Sequence, residues 1–132
     1  MFVDASALVA MITNEPEAAA MTKAIADAAS ATTSPLSIYE AAMAIARKKI
    51  DKGQAFDVIK RFLIASRISV EPITAQHAEL ALQAHARFGK GTGHPAQLNM
   101  GDCFSYAAAI RLGCPLLFKG RDFSRTDIPP AL

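Results

Sequence analysis

The sequence predicts a three-layer α/β/α domain built on a central parallel sheet, and three observations carry that expectation. Short apolar or β-tolerant runs alternate with segments of helical period, the pattern that βαβ units leave in a chain. Alanine makes up about a fifth of the 132 residues, which favours helix. The last apolar run, Pro115 to Lys119 (PLLFK), is continuously hydrophobic, as strands covered on both faces are. With 52% hydrophobic residues and a net charge of +2, the chain is too apolar and too weakly charged to stay disordered. Its length suits one domain, spanning 1–132.

The elements follow in order. Met1 to Val3 reads as a very short strand ending at Asp4, and Ala5 to Thr13 (ASALVAMIT) as a buried helix. Asn14 offers an N-cap, with Glu15, Pro16 and Glu17 in the first turn of a second helix running to Ala29. Ala31 to Ser34 is a second strand. Pro35 opens a helix that runs to Ile50, with Ile38, Ala42, Ile45 and Lys49 on one stripe, and Asp51-Lys52-Gly53 breaks it. Gln54 to Arg67 is amphipathic, with Phe56, Ile59, Phe62 and Leu63 at helical spacing. Ser69 to Ile73 is a strand whose Pro72 marks an edge or an end. Thr74 caps a helix to Phe88, with Ala78, Leu82 and the Ala81/His85 pair on neighbouring faces. Gly89 to Gln97 is a glycine-rich loop carrying Lys90 and His94. Asn99 caps a helix to Leu112 that Gly113 ends, and Gly120 to Asp127 is a turn-rich tail.

Several function classes fall away. No apolar run approaches the ~20 residues that cross a bilayer, and MFVDASALV has no basic lead-in of a secretory signal. Cys103 and Cys114, if both were on one helix, would stand ~16 Å apart, too far to bridge. A reduced, cytoplasmic setting is expected.

Four acids occupy places that matter. Asp4 follows the first strand, Glu40 lies early in the helix after the second, Asp102 lies in the first turn after Asn99, and Asp122 follows the last strand by three residues. In an open parallel sheet these junctions gather at the carboxyl ends of the strands, where ligands bind. Anions crowded there must take up protons or bind a cation. All-oxygen ligands suit Mg²⁺ or Mn²⁺, and such an ion serves phosphodiester hydrolysis. Each acid also has a plainer reading. Asp4 and Asp102 can be helix-start residues, Glu40 a solvated helical acid and Asp122 a turn former.

VDASAL, YEAAMAIARK around Glu40, LNMGDCFSYAAAIRLGCPLLFKGRDF and the late TDI together resemble a PIN-domain ribonuclease, specifically a VapC-type toxin of a toxin–antitoxin pair. The resemblance spans nearly the whole chain, and Leu98 to Phe123 is its most specific part. It implies a PIN-like sandwich and Mg²⁺- or Mn²⁺-dependent endonucleolytic cleavage of RNA to 5′-phosphate and 3′-hydroxyl ends. It further implies inhibition by a cognate antitoxin and a homodimer or toxin–antitoxin hetero-oligomer. By this resemblance Asp4, Glu40, Asp102 and Asp122 are the catalytic and metal-binding quartet, with Asp122 the most dispensable.

Around that quartet, Ser6, Asn99, Lys119, Arg121 and Arg125 are candidate substrate contacts. Seven of the 14 basic residues (Arg47, Lys48, Lys49, Lys52, Lys60, Arg61 and Arg67) form a second group, either an RNA-binding or a solvated face. Met43, Phe62 and Leu63 offer an apolar face for an antitoxin or second copy, with core packing the default. Tyr39, Phe56, Phe62, Phe104 and Phe118 are expected in the core, Cys103 packed inward, and His77 and His85 at or near the surface.

Rival readings are weaker on the residues. A haloacid-dehalogenase-type phosphotransferase needs a second Asp where Ser6 stands, and a receiver domain needs an early acidic pair that is missing. A binding module with an idle acidic pocket is the alternative outside enzymes.

Overall fold

A strand's two-residue period decides where this chain buries its apolar side chains. In the computed structural model, which describes residues 1–47 and 51–132, strand β1 (Phe2–Val3) sends Phe2 into one core and Val3 into another. Strand β4 (Leu116–Leu117) divides its two leucines in the same way, in register with β1 as Phe2↔Leu116 and Val3↔Leu117. With β2 (Ala31–Thr33) and β3 (Ile68–Val70) they form a parallel sheet ordered β3-β2-β1-β4.

Helices cover both faces. On the Val3 and Leu117 side lie α1 (Ala5–Ile12), α2 (Ala18–Asp27), α3 (Pro35–Ala46) and α4 (Lys52–Ala65), whose Leu8, Met21, Ile45 and Ile59 are buried there. On the Phe2 and Leu116 side lie α5 (Ala75–Phe88) and α6 (Met100–Leu112), with Ala84, Phe88, Tyr106 and Ala107 inside. The expected three-layer α/β/α sandwich is the observed one. A short 3₁₀ turn, Phe123–Arg125, buries Phe123, and the chain then returns to β4 through a Leu116↔Pro130 bridge. Because all four strands run parallel, their carboxyl ends share one edge.

The structure corrects several local expectations. Asn14 does not start α2. It takes a left-handed φ of 53° just past the end of α1, a helix-stop conformation, and α2 begins only at Ala18 behind Glu17. Asp51 likewise does more than break a helix. Its side chain accepts from the N–H groups of Gly53 and Gln54, at 2.8 and 3.3 Å, so α4 starts at Lys52 rather than Gln54. It ends at Ala65, two residues before Arg67, which adopts a φ of 54°. Strand β3 stops before Glu71 and Pro72, and it is an edge strand. The C-terminal part of the α3 expectation, with Lys48, Lys49 and Ile50, lies outside the described residues.

Side-chain burial departs from expectation where tertiary contact rather than residue type decides. Tyr39 and Phe56 are exposed, at 62% and 44%. Phe56 instead lies under the Lys60 ammonium, 4.9 Å from its ring centre. Phe62, Phe104 and Phe118 are only partly buried. His77 is buried rather than near the surface, because its Nδ1 accepts the Thr74 N–H at 3.0 Å and closes the α5 cap. Cys103 packs inward as expected, and Cys114 lies beyond the end of α6; both thiols are free.

The α4 cap gives a direct test. Asp51→Ala removes the acceptor for two N–H groups and should destabilise the protein by about 1 kcal/mol in urea unfolding.

Candidate active site

Asp4, Glu40, Asp102 and Asp122, scattered over most of the sequence, line a single cleft of about 480 Å³ at the carboxyl edge of the sheet. Ser6, Glu15, Asn99 and Lys119 share its wall. Each acid arrives there by a local device. Asp4 ends β1 and caps α1, accepting the Ser6 N–H at 2.8 Å on Oδ2. Ser34 caps α3, with Pro35 in its first turn, and that helix carries Glu40. Asn99 and Asp102 close a reciprocal capping box at the start of α6, each side chain taking the other's N–H at 2.9 Å. Asp122 is exposed in the loop between β4 and the 3₁₀ turn. The plain and chemical readings of Asp4 and Asp102 therefore coincide, since the caps hold the carboxylates in the cleft.

The charges there are unbalanced. Among the described residues no Lys or Arg pairs with any of the four acids. Burial first, then the fields of Asp4 and Asp102, push the Glu40 carboxyl up to about 7. Burial also drives Asp102 up to about 6; the Asn99 N–H pulls the other way, and Asp4 and Asp122 add to the rise. Gly101 makes the crowding possible, because a Cβ at that position would overlap the Glu40 carboxylate.

Among the described residues, no group of three or more His, Cys, Asp or Glu side chains is drawn together tightly enough to chelate a metal as it stands. The donor set nevertheless fits a hard, hydrated cation. It is all carboxylate, it carries excess negative charge, and Mg²⁺ normally keeps several waters and takes only one or two protein carboxylates.

The basic candidates are placed unevenly. Lys119 donates its backbone N–H to Ser6 Oγ at 3.0 Å, while its ammonium is held by Glu15 and, at 3.3 Å, by Glu17. Its charge is thus already paired. Arg121 is exposed beside Asp122, and Arg125 reaches the Pro95 carbonyl at 3.4 Å. In the second group, Lys60 pairs with Asp57 at 2.8 Å and the Arg61 side chain bonds the Asp57 carbonyl, as on a solvated helix face. Lys48 and Lys49 lie outside the described residues. Leu63 is core, and Met43 and Phe62 are partly covered.

Two contributors escaped the sequence reading. Glu15 enters the cleft wall through the loop between α1 and α2, and Ser105 of α6 bonds Asp4 at 2.6 Å. A serine amid alanines in a buried helix was the only available signal for the latter.

A parallel α/β sandwich with four carboxylates along its carboxyl edge defines a class of acidic-cleft proteins, and comparison with known proteins says which. The chain belongs to the PIN-domain family, whose model matches residues 1–129. It is 40% identical to a VapC ribonuclease of Rhizobium meliloti, covering 96% of this chain and 98% of that protein. It is 42% identical to ribonuclease VapC28 of Mycobacterium tuberculosis, covering 100% and 98% respectively. The crystal structure of Mycobacterium tuberculosis VapC20, a sarcin–ricin loop cleaving toxin, shares the fold with a TM-score of 0.74. That likeness covers 96% of this chain and 95% of that one at 18% identity. The VapC resemblance read from the sequence holds along nearly the whole chain.

The crowding predicts a pH dependence of stability. A folded state whose Glu40 titrates near 7 holds a proton that an unfolded chain, near 4.5, has released. Stability is therefore lost as pH rises between those values. Glu40→Gln is neutral throughout. In metal-free buffer its melting temperature should match wild type below pH 4.5 and climb progressively above it as pH approaches 7. A constant difference across that range would contradict the assigned environment.

Proposed function

We propose that this protein is a divalent-metal-dependent endoribonuclease toxin restrained by a cognate antitoxin. The observation that carries the reading is the cleft in which Asp4, Glu40, Asp102 and Asp122 converge without a cationic partner among the described residues. The VapC ribonuclease relatives support RNA as the substrate.

Asp4 and Asp102 would hold Mg²⁺ or Mn²⁺, with Glu40 and Asp122 completing the shell or holding water. Such an ion supplies Lewis acidity toward the phosphodiester and its attacking water. The protein's own contribution is to fix the acids. Asp4 is braced by Ser6, and Asp102 by Asn99, so neither must reorganise when RNA arrives. Water attacks phosphorus as the 3′-oxygen leaves, and the products carry 5′-phosphate and 3′-hydroxyl ends. Arg121, beside Asp122, contacts backbone phosphate, whereas Lys119 acts mainly through its backbone on Ser6. The protein works in the cytoplasm, as a homodimer or in a hetero-oligomer with its antitoxin. No helix among the described residues is long and apolar enough to cross a membrane.

Three outcomes test this. Asp4→Asn and Asp102→Asn should each lower Mn²⁺-dependent RNA cleavage by more than ~100-fold, beyond the loss typical of outer-shell changes. End-mapping of cellular RNA should show new 5′-phosphate ends after induction of wild type and none after Asp102→Asn; identical patterns would remove the nuclease assignment. Arg121→Ala should weaken RNA binding across sequences and flatten its log–log salt slope by about 1.

A further inference from the structure

Ser105 sits in the interior of α6, 1% exposed, in a stretch whose neighbours Tyr106, Ala107, Ala108 and Ala109 are also buried. Alanine would serve the helix better at this position. A buried serine in a helix ordinarily satisfies its hydroxyl on a carbonyl one turn back. This one instead donates across 101 positions of sequence to Asp4 Oδ1, at 2.6 Å. A local preference is given up for a contact with a cleft carboxylate, and that pattern marks functional positions.

The hydrogen-bond count around Asp4 says what the contact does. Asp4 Oδ2 accepts from both the N–H and the hydroxyl of Ser6, at 2.8 and 2.5 Å. Its two lone pairs are taken. Among the described residues Oδ1 accepts only from Ser105, which leaves it one acceptor position. Ser6 is itself fixed by the Lys119 N–H at 3.0 Å. The carboxylate cannot turn to present Oδ2 without breaking bonds at both ends.

We infer that Ser105 is a positioning residue for Asp4, holding Oδ1 so that Asp4 offers a divalent cation a single oxygen. The inference rests on the metal-dependent reading above and adds to it a residue and a mode of ligation. Ser105 touches neither substrate nor cation. It acts through Asp4.

The test is Mn²⁺ binding by the intact protein without RNA, followed by the electron paramagnetic resonance signal of free Mn²⁺. Ser105→Ala should weaken binding by about 10-fold or more, the range seen when outer-shell partners of metal ligands are removed. Ser105→Thr, which keeps the hydroxyl, should restore binding to about the wild-type value. In an Asp4→Asn background, Ser105→Ala should cost nothing further, whereas a purely structural role would weaken both backgrounds alike. If Ser105→Ala loses its circular dichroism, Ser105→Cys, of similar volume and only a weak donor, carries the same expectation. Wild-type Mn²⁺ binding equalled by the Ala or Cys variant overturns this inference alone. Wild-type protein that binds no Mn²⁺ overturns it together with the nuclease reading.

Discussion

Mutual repulsion among carboxylates at the carboxyl edge of the sheet is the constraint around which this molecule is arranged. A parallel sheet brings its strand ends together, and here the residues that follow those ends include Asp4 and, a few positions on, Asp122. Burial first, and then the fields of the neighbouring carboxylates, raise the proton affinity of Glu40 and Asp102. An arrangement that opposes folding persists only if other interactions hold it. The helix caps are those interactions. The Asp4 side chain satisfies a first-turn N–H of α1, and Asp102 completes the box that starts α6. Caps of this kind are worth about 1 kcal/mol each, so the same carboxylates that repel one another also start the helices that position them.

That double use explains why so much of the site could be read from the sequence. Capping residues, strand ends and the alternation of elements are local signals, and they located Asp4, Asn99 and Asp102 correctly on their elements. Local signals failed where a distant contact settled the matter. Asn14 looks like a helix start, but its left-handed backbone ends the helix before it. Tyr39 and Phe56 are aromatic, yet they face away from both cores, whereas the polar His77 is buried because its ring completes a cap. Ser105 belongs with these cases: its apolar neighbours hint at burial, but its partner stands 101 positions away.

Glycine at 101 shows how tightly the two halves of the cleft depend on one another. Glu40 comes from α3, which packs with the α1–α4 face, and Gly101 from α6 on the opposite face. The only side chain short enough at 101 to leave room for the Glu40 carboxylate is none at all. Burial of Glu40 and its proximity to Asp102 are thus consequences of one close approach between helices on opposite faces of the sheet. Caps hold Asp4 and Asp102, and close packing against Gly101 holds Glu40, before any ligand enters, and charges fixed in advance act most strongly on a reacting group.

The cations near the cleft then bear on how a polyanion would be held. Lys119 is bound to Glu15 and Glu17, Arg125 leans on the Pro95 carbonyl, and Lys60 is paired on the far helix α4. Within this set Arg121 and Arg125 are the cations that no acid pairs with, and Arg125 already donates to a backbone carbonyl. Among the described residues beside the cleft such contacts are few, so counterion release, on which strongly basic nucleic-acid binders rely, has less to act on there. In the proposed mechanism more of the attraction for the scissile phosphate must come from the divalent ion in the acidic cleft. The acid cluster would then govern substrate capture as well as chemistry. Loss of a carboxylate would weaken RNA binding in the presence of metal, while in its absence the same loss would relieve repulsion and strengthen it.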